Sequence, residues 1–269
     1  LRDLVGPLCV AALNTPMSQA SGQVFLRVLQ DALFAGPGAA DLLLPQAPLA
    51  HLLPGPAVRW LQAHGARLHW GHRVQRLAKE ANHWQVDGTG FDAVVLACTA
   101  RESARLVEPI APGWSQDASS LRYEPIVTVW MHAPDLKWRH PMMALRCSAT
   151  APAQFAFDLG ALGGQAGCFT FVVSGASAWL AQGLDGVVMA VRAQAQADFP
   201  GHFLHDACVL AARAERRATF ACTPGLRRPA AHIAPGLAAA GDHVHGPYPA
   251  TLEGAVRSGA EALTLVTQG

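Results

Sequence analysis

Charge is scarce in this sequence: Asp, Glu, Lys and Arg make up 14% of the 269 residues, against 51% hydrophobic. So apolar a composition points to a large interior, an apolar ligand cavity, or a surface that meets membrane or a partner. Lys and Arg nearly cancel Asp and Glu, leaving a net charge of +1. The basic footprint required for binding a phosphate backbone is missing, and nucleic acid is excluded as a partner. The six cysteines (Cys9, Cys98, Cys147, Cys168, Cys208, Cys222) form no C-x-x-C pair and sit mostly in apolar runs. That is the usage of reduced, buried thiols in a cytosolic protein. No basic stretch precedes an apolar one near the start, so no export signal is expected. No apolar run reaches the ~18 residues of a transmembrane span. A G-x-S-x-G elbow is missing, which argues against a serine nucleophile. The runs Asp242-His243-Val244-His245 and His202-x-x-His205 lack the companion ligands of a closed metal site. No metal is expected, and these histidines are taken as solvated loop residues.

A chain of this length can bury one large core or two interleaved smaller ones. It opens on Leu1, already in helix-like spacing, from which a preceding piece is expected. Apolar spacing predicts helices over 4–13 and 19–34, joined by Asn14-Thr15-Pro16, then a short strand over 40–44 and a helix over 49–64. Three β-type pieces follow over 66–74, 76–81 and 83–86, leading into the continuous run Phe91-Asp92-Ala93-Val94-Val95-Leu96-Ala97. Such a run suits a strand buried on both faces of a layered α/β sheet. A helix over 101–107 comes next, then strands over 126–132, 143–147, 154–158 and 168–174. A helix over 177–199, interrupted near 183–186, and a strand over 208–220 complete this middle part. The chain closes with a strand over 236–240 and a helix over 251–266.

Chemistry concentrates in that last pair. Leu237-Ala238-Ala239-Ala240-Gly241-Asp242 is a small apolar strand ending in Gly-Asp. In the following helix Gly254, Ala255, Ser258, Gly259 and Ala262 form a small-residue stripe at three- and four-residue spacings, which admits another backbone or a flat ligand. Free N–H groups at the helix start favour partial negative charge, and a carboxylate at a strand's carboxyl end can accept from sugar or ribityl hydroxyls. On spacing alone, an ordinary strand–loop–helix with a small packing face explains the pattern equally well. Arg216, Arg217, Arg227 and Arg228 form the one basic cluster. They serve as surface charge or ion-pair partners, unless the turn 223–226 directs Arg227 toward a cavity.

The stretch AAAGDHVHGPYPATLEGAVRSGAEAL resembles the terminal FAD motif of the amine-oxidase/phytoene-desaturase superfamily, and GHRVQRL with HWQVDGTGFDAVVLACTA resembles its middle FAD segment. ALNTPMSQASGQVFLRVLQDALF, DLLLPQAPL, YEPIVTVW and ERRATFACTPGLRRPA together are similar to its squalene- and hopanoid-associated branch, the hydroxysqualene dehydroxylases. The similarity runs from about Leu4 to Ala262. The superfamily's G-x-G-x-x-G fingerprint has no counterpart here, since Gly160-x-x-Gly163-Gly164 has the wrong spacing and context. The chain therefore resembles the middle and C-terminal parts of such an enzyme: either an N-terminal FAD-binding segment is truncated from it, or another chain supplies the pyrophosphate side.

The resemblance implies an α/β plus α+β, two-domain, amine-oxidase-like fold lacking its first βαβ unit. The FAD-binding layer is expected over 51–100 and 231–269, and a substrate domain of antiparallel sheet and helices over 1–50 and 101–230. It implies FAD as cofactor, with Val74 on the adenine side and Ala97, Cys98 and Thr99 near the cofactor. Gly241, Asp242, Tyr248, Pro249, Thr251, Leu252 and Ala255 are expected around the flavin, with Arg227 and Tyr248 on the substrate side. The implied reaction is reduction of hydroxysqualene, a long isoprenoid, to squalene. The alternatives are a carotenoid or phytoene desaturase, an amine oxidase, and a truncated, non-catalytic remnant without FAD. An amine oxidase would favour an aromatic pair at the flavin, and the only tyrosines are Tyr123 and Tyr248. No residue stands out as proton donor; Glu124 and Asp158 are candidates by residue type alone. A cytoplasmic protein in peripheral contact with the inner face of the membrane is expected from the lipid substrate class and the low charge.

Overall fold

The computed structural model describes residues 4–81, 83–205 and 208–267. In chain order the first helices are α1 (Val5–Leu13), α2 (Gly22–Ala32), α3 (Leu49–Leu52) and α4 (Pro54–Ala63). Strands β1 (Leu77–Glu80), β2 (His83–Val86), β3 (Thr89–Phe91) and β4 (Val94–Leu96) precede α5 (Ala100–Val107) and α6 (Pro112–Ser119). Then come β5 (Tyr123–His132), β6 (Met142–Ala144), β7 (Phe155–Asp158) and β8 (Cys168–Val173), with α7 (Ser177–Leu180) and α8 (Leu184–Asp198). The last elements are β9 (Val209–Phe220), β10 (His232–Ala234), β11 (Leu237–Ala239) and α9 (Leu252–Thr267).

The chain divides into two compact units, each built from three stretches. One unit holds Leu1–Met17, Pro37–Trp70 and Glu124–Ala218; the other holds Ser18–Gly36, Gly71–Tyr123 and Thr219–Gly269. These bounds differ from the expected ones: residues 51–70 fall with the antiparallel sheet, and 18–36, 101–123 and 219–230 fall with β4 and β11.

In the first unit strict alternation along β5 buries Val127, Val129 and Met131, as a half-buried strand requires. The five strands lie in the order β6-β7-β8-β5-β9, with β8 antiparallel to both β5 and β7. Helix α8 covers the core with Val187, Val191 and Ala195, which recur at helical spacing. Its Gln194 is buried yet satisfied: Oε1 accepts from the Ala153 amide at 2.8 Å and Nε2 donates to the Ala153 carbonyl at 2.9 Å. Asn14 ends α1 in left-handed geometry (φ 46°) and ties it to the sheet, donating to the Glu124 carbonyl and accepting from the Gly175 amide.

The second unit carries two three-stranded sheets, a β1-β2-β3 meander and β10-β11-β4. Asp87 (φ 48°) and Gly88 (φ 85°) make the tight turn between β2 and β3, where both residues need positive φ and Asp-Gly supplies it. The Asp87 carboxylate also accepts from the backbone amides of Gln75 and Arg76, closing the meander on itself. Trp84 is buried on this meander and donates to the Pro235 carbonyl.

Several expected elements are corrected. No strand forms over 40–44 or 66–74: Leu42 and Leu43 are exposed without a neighbouring strand, and Pro45 removes a ladder donor. The expected helix over 49–64 breaks at Leu53, because the residue before Pro54 is pushed out of helical geometry (φ −124°, ψ −58°). Gly183, at φ 90°, separates α7 from α8 within the expected interruption. Helix α6 and strands β3 and β10 are additions, and the expected run 91–97 forms a strand only over Val94–Leu96.

Candidate functional site

Two adjacent parallel strands organise the site. β11 pairs with β4 in the register Leu237↔Val94, Ala238↔Val95, Ala239↔Leu96, and the Ala240 amide extends the ladder by donating to the Leu96 carbonyl at 3.0 Å. Ala97-Cys98-Thr99 and Gly241-Asp242 therefore leave the sheet side by side, at the carboxyl ends where open α/β sheets bind ligands. The apolar character of both runs makes this possible, since Leu237, Ala238 and Ala239 are buried and only small residues fit beneath α9.

The small-residue stripe resolves into separate jobs. Ala262 packs on Ala238 and Ala240, and Ser258 clamps the strand end by accepting from the Gly241 amide at 2.8 Å. The Ser258 hydroxyl also has two carbonyl acceptors within reach, Ala255 at 2.7 Å and Gly241 at 3.1 Å. Thr251 caps α9, its hydroxyl accepting from the Gly254 amide at 3.1 Å. Gly254 sits under the loop: a Cβ there would stand 3.5 Å from the Pro249 carbonyl oxygen and from the Tyr248 Cβ. Nothing approaches Gly259 in the same way.

A cavity of about 230 Å³ lies beside this strand end, with Asp242, Tyr248, Gly254 and Ser258 in its wall together with Arg27, Arg228 and Arg257. Among the described residues no donor reaches the Asp242 carboxylate within hydrogen-bonding distance; His243 Nδ1 stands 3.9 Å away. Tyr248 is engaged on ring and hydroxyl alike. The Arg27 and Arg257 guanidinium groups lie 5.1 and 5.3 Å from its ring centroid, and its hydroxyl donates to Asp31 at 3.0 Å. Arg27 beside it holds the Asp31 carboxyl below the usual carboxylate range.

The neighbouring arginines 227 and 228 point in different directions. Arg227 is 83% exposed and pairs with Asp117 at 3.4 Å, outside the cavity. Arg228 turns inward, stacks over Phe220 at 5.0 Å, and donates to the carbonyls of Asp242 (3.2 Å), Tyr248 (3.0 Å) and Gly246. Burial pushes its guanidinium down from its ordinary value, and nearby Cys222 and Asp242 oppose that. Arg227 therefore lies away from this cavity, and it is Arg228 that turns into its wall.

His243 is no solvated loop residue: its ring is buried and its Nε2 has no hydrogen-bond partner among the described residues. Burial lowers its pKa from the ordinary value. An unfolded histidine protonates near pH ~6.5, so as pH falls through that point the unfolded state takes up the proton first. Stability contributed by the neutral ring is full above that pH and is lost as pH falls toward the depressed folded value. Thermal melts between pH 7 and pH 5 are expected to show a shallower loss of stability in His243→Leu than in the parent chain. Parallel pH slopes for the two proteins would refute this.

The second expected group lines a groove of about 550 Å³ along β4, walled by Val74, Leu77, Val86, Val94, Leu96 and Leu106 and bordered by Ala97 and Cys98. The Val74 carbonyl accepts from Arg105 at 2.6 Å; Glu102 in turn binds Arg73 and Arg105, which hold its carboxyl below the usual range, Arg73 most strongly. Thr99 caps α5 by accepting from the Glu102 amide, and Cys98 Sγ lies 3.2 Å from Ser103 Oγ. Pro249, Leu252 and Ala255 surround the α9 start without lining either cavity. Leu252 is 74% exposed.

Parallel strands carrying ligand-side loops at their carboxyl ends, in a chain whose other unit is built on an antiparallel sheet, define a cofactor-binding α/β class. The chain belongs to the flavin containing amine oxidoreductase family, whose profile matches residues 39–266. It is 30% identical to a hydroxysqualene dehydroxylase of Rhodopseudomonas palustris, over 98% of this chain and 62% of that protein. A hydroxysqualene dehydroxylase of Sinorhizobium fredii is 32% identical over 39% of this chain and 27% of its own length. The chain thus spans 62% of the length of the first of these relatives. Two solved structures share the fold: an oxidoreductase from Methanosarcina mazei, with TM-score 0.73 and 13% identity over 98% of this chain and 64% of that one; and a structure from Exiguobacterium sp. 255-15 named for protoporphyrinogen oxidase, with TM-score 0.66 and 15% identity over 100% and 64%.

Proposed function

We propose that this chain is the middle and C-terminal part of an FAD-dependent oxidoreductase that reduces hydroxysqualene to squalene. The observation that carries the flavin reading is the Asp242 carboxylate, unengaged at the end of β11 beside the end of β4. The residues present fit the ribityl and ring end of a flavin. Asp242 offers an acceptor to hydroxyls from the cavity wall, and the Leu252 and Glu253 amides open α9. When bound, the flavin supplies the hydride; the protein holds the substrate and keeps water away. The reaction replaces an allylic C–O bond by C–H, with the hydroxyl leaving as water after taking up one proton.

The substrate assignment is supported by the names of the two relatives. Neither acidic candidate is freed for proton donation: Glu124 accepts from Ser177 at 2.8 Å and Asp158 from the Ala161 amide at 3.1 Å, so each serves its own turn. The engagement of Tyr248 by two arginines weighs against an amine oxidase, which would use aromatic rings at the flavin. The edge of β4, unpaired among the described residues, and its apolar groove suit a strand–turn–helix segment supplying the pyrophosphate side.

Titration of the purified chain with FAD, read by visible absorption and flavin fluorescence, tests this. Saturable binding is expected, with Asp242→Ala weakening it about 10–100-fold, the worth of ~1.5–3 kcal/mol for hydrogen bonds to a charged group. A colourless protein that stays colourless with excess FAD sinks the flavin reading for this chain. If flavin binds, anaerobic reduction followed by hydroxysqualene or phytoene separates the substrate alternatives.

A further inference from the structure

Helices α3 and α4, in the stretch Pro37–Trp70 of the antiparallel-sheet unit, have no buried residue. Helices of that length are seldom stable in water without packing one apolar face. Here Pro56, Ala57 and Val58 are half-buried, but the large apolar side chains face outward: Leu43 is 93% exposed, and Leu49, Leu52, Leu53 and Trp60 are each more than half exposed. So dense an exposed apolar stretch marks an interaction surface. Its charge is of one sign. No Asp or Glu occurs from residue 42 to residue 70, while Arg59 and Arg67 lie within the exposed stretch, in a chain whose net charge is only +1. Trp60 stacks on His64 with ring centroids 4.0 Å apart, pairing an apolar ring with a polar edge. Amphipathic rings of this kind settle where hydrocarbon meets water. The stretch is fastened to its own unit at Gly163, whose left-handed backbone lies so close to the Gln46 carbonyl that any side chain would collide.

We propose that this surface binds the face of an anionic phospholipid bilayer. The leucines and Trp60 enter the headgroup boundary, while Arg59 and Arg67 meet lipid phosphates. No helix among the described residues is long and apolar enough to cross a membrane, so the contact is one of lying on the bilayer. A second copy of the chain would bring the same arginines face to face, and an acidic partner leaves the leucines unused; a lipid surface satisfies both. The inference deepens the isoprenoid reading, because a long apolar substrate partitions into the same bilayer. It rests on residues separate from the flavin site.

The test is co-sedimentation of the 269-residue chain with phosphatidylcholine vesicles, with and without about one-third phosphatidylglycerol. Binding is expected to anionic vesicles, falling about 10-fold or more on neutral vesicles or in high salt. The doubles Leu43→Asp/Leu52→Asp and Arg59→Glu/Arg67→Glu should each lower it as much. Leu210→Asp, at a comparably exposed leucine of β9, should not. Since all these side chains are exposed, far-UV circular dichroism should stay unchanged. No binding, binding indifferent to both doubles, or pelleting without vesicles (chain-to-chain contact) overturns the proposal. FAD titration of the same samples remains unaffected by any of these outcomes, so the two readings fail separately.

Discussion

Gly241→Ala is expected to lower the melting temperature by ~5–15 °C, at roughly 2–4 °C per kcal/mol for a protein of this size. Two costs add. Gly241 sits at φ 150°, where an L side chain is strained, which accounts for ~1–2 kcal/mol. A Cβ there would also stand 2.6 Å from His243 Nδ1, and His243 is buried with little room to retreat, adding ~1–3 kcal/mol of overpacking. The same shift moves Asp242, the next residue, so flavin retained on purification is expected to fall with stability. Gly259→Ala is the control within the same β11–α9 motif. Nothing lies within 4 Å of the position a Cβ would take there, so alanine should gain up to ~1 kcal/mol of helix propensity. Thermal melts of the pair decide it: equal effects at both positions would mean that the strand end is soft and that Gly241 is not required by geometry.

The β11–α9 motif was readable because each of its features is local. A Gly-Asp pair at the end of a small apolar run, a threonine cap, and small residues at helical spacing all fall between Leu237 and Ala262. β4 was legible as a strand from its continuous apolar run, but Val95 is exposed and of its three residues only Leu96 is buried, so the burial on both faces expected there does not hold. What escaped depends on partners distant in sequence. α6 begins at Pro112 and has almost no apolar periodicity; Trp114 donates to the Ala230 carbonyl, a contact that no window of the sequence contains. The 66–74 stretch has strand-like composition, yet without a neighbouring strand to pair with it stays irregular. His243 and Arg228 look like surface residues by type, and only the approach of 220–228 to 242–248 buries them.

Arg228→Met is the stricter test of how that approach is held. The guanidinium serves the carbonyls of Asp242, Gly246 and Tyr248 at once, a task suited to five donors in a rigid fork. Methionine keeps the stem and the contact with Phe220 but leaves three carbonyls short of a donor. At ~1–3 kcal/mol per unsatisfied buried group, and allowing for water reaching some of them, a loss of about 2–5 kcal/mol is expected. Arg228→Lys should recover only part of it, because one ammonium cannot span three carbonyls spread from Asp242 to Tyr248. The loss should be local before it is global. Hydrogen exchange is expected to quicken at 242–249 while the amides of β5 and β8, which belong to the other unit, keep their protection. FAD affinity should drop in the order Arg, Lys, Met. If Arg228→Met leaves exchange at 242–249 and FAD affinity unchanged, the loop is held by its prolines and by Ser258 alone, and Arg228 is a buried charge without a positioning role.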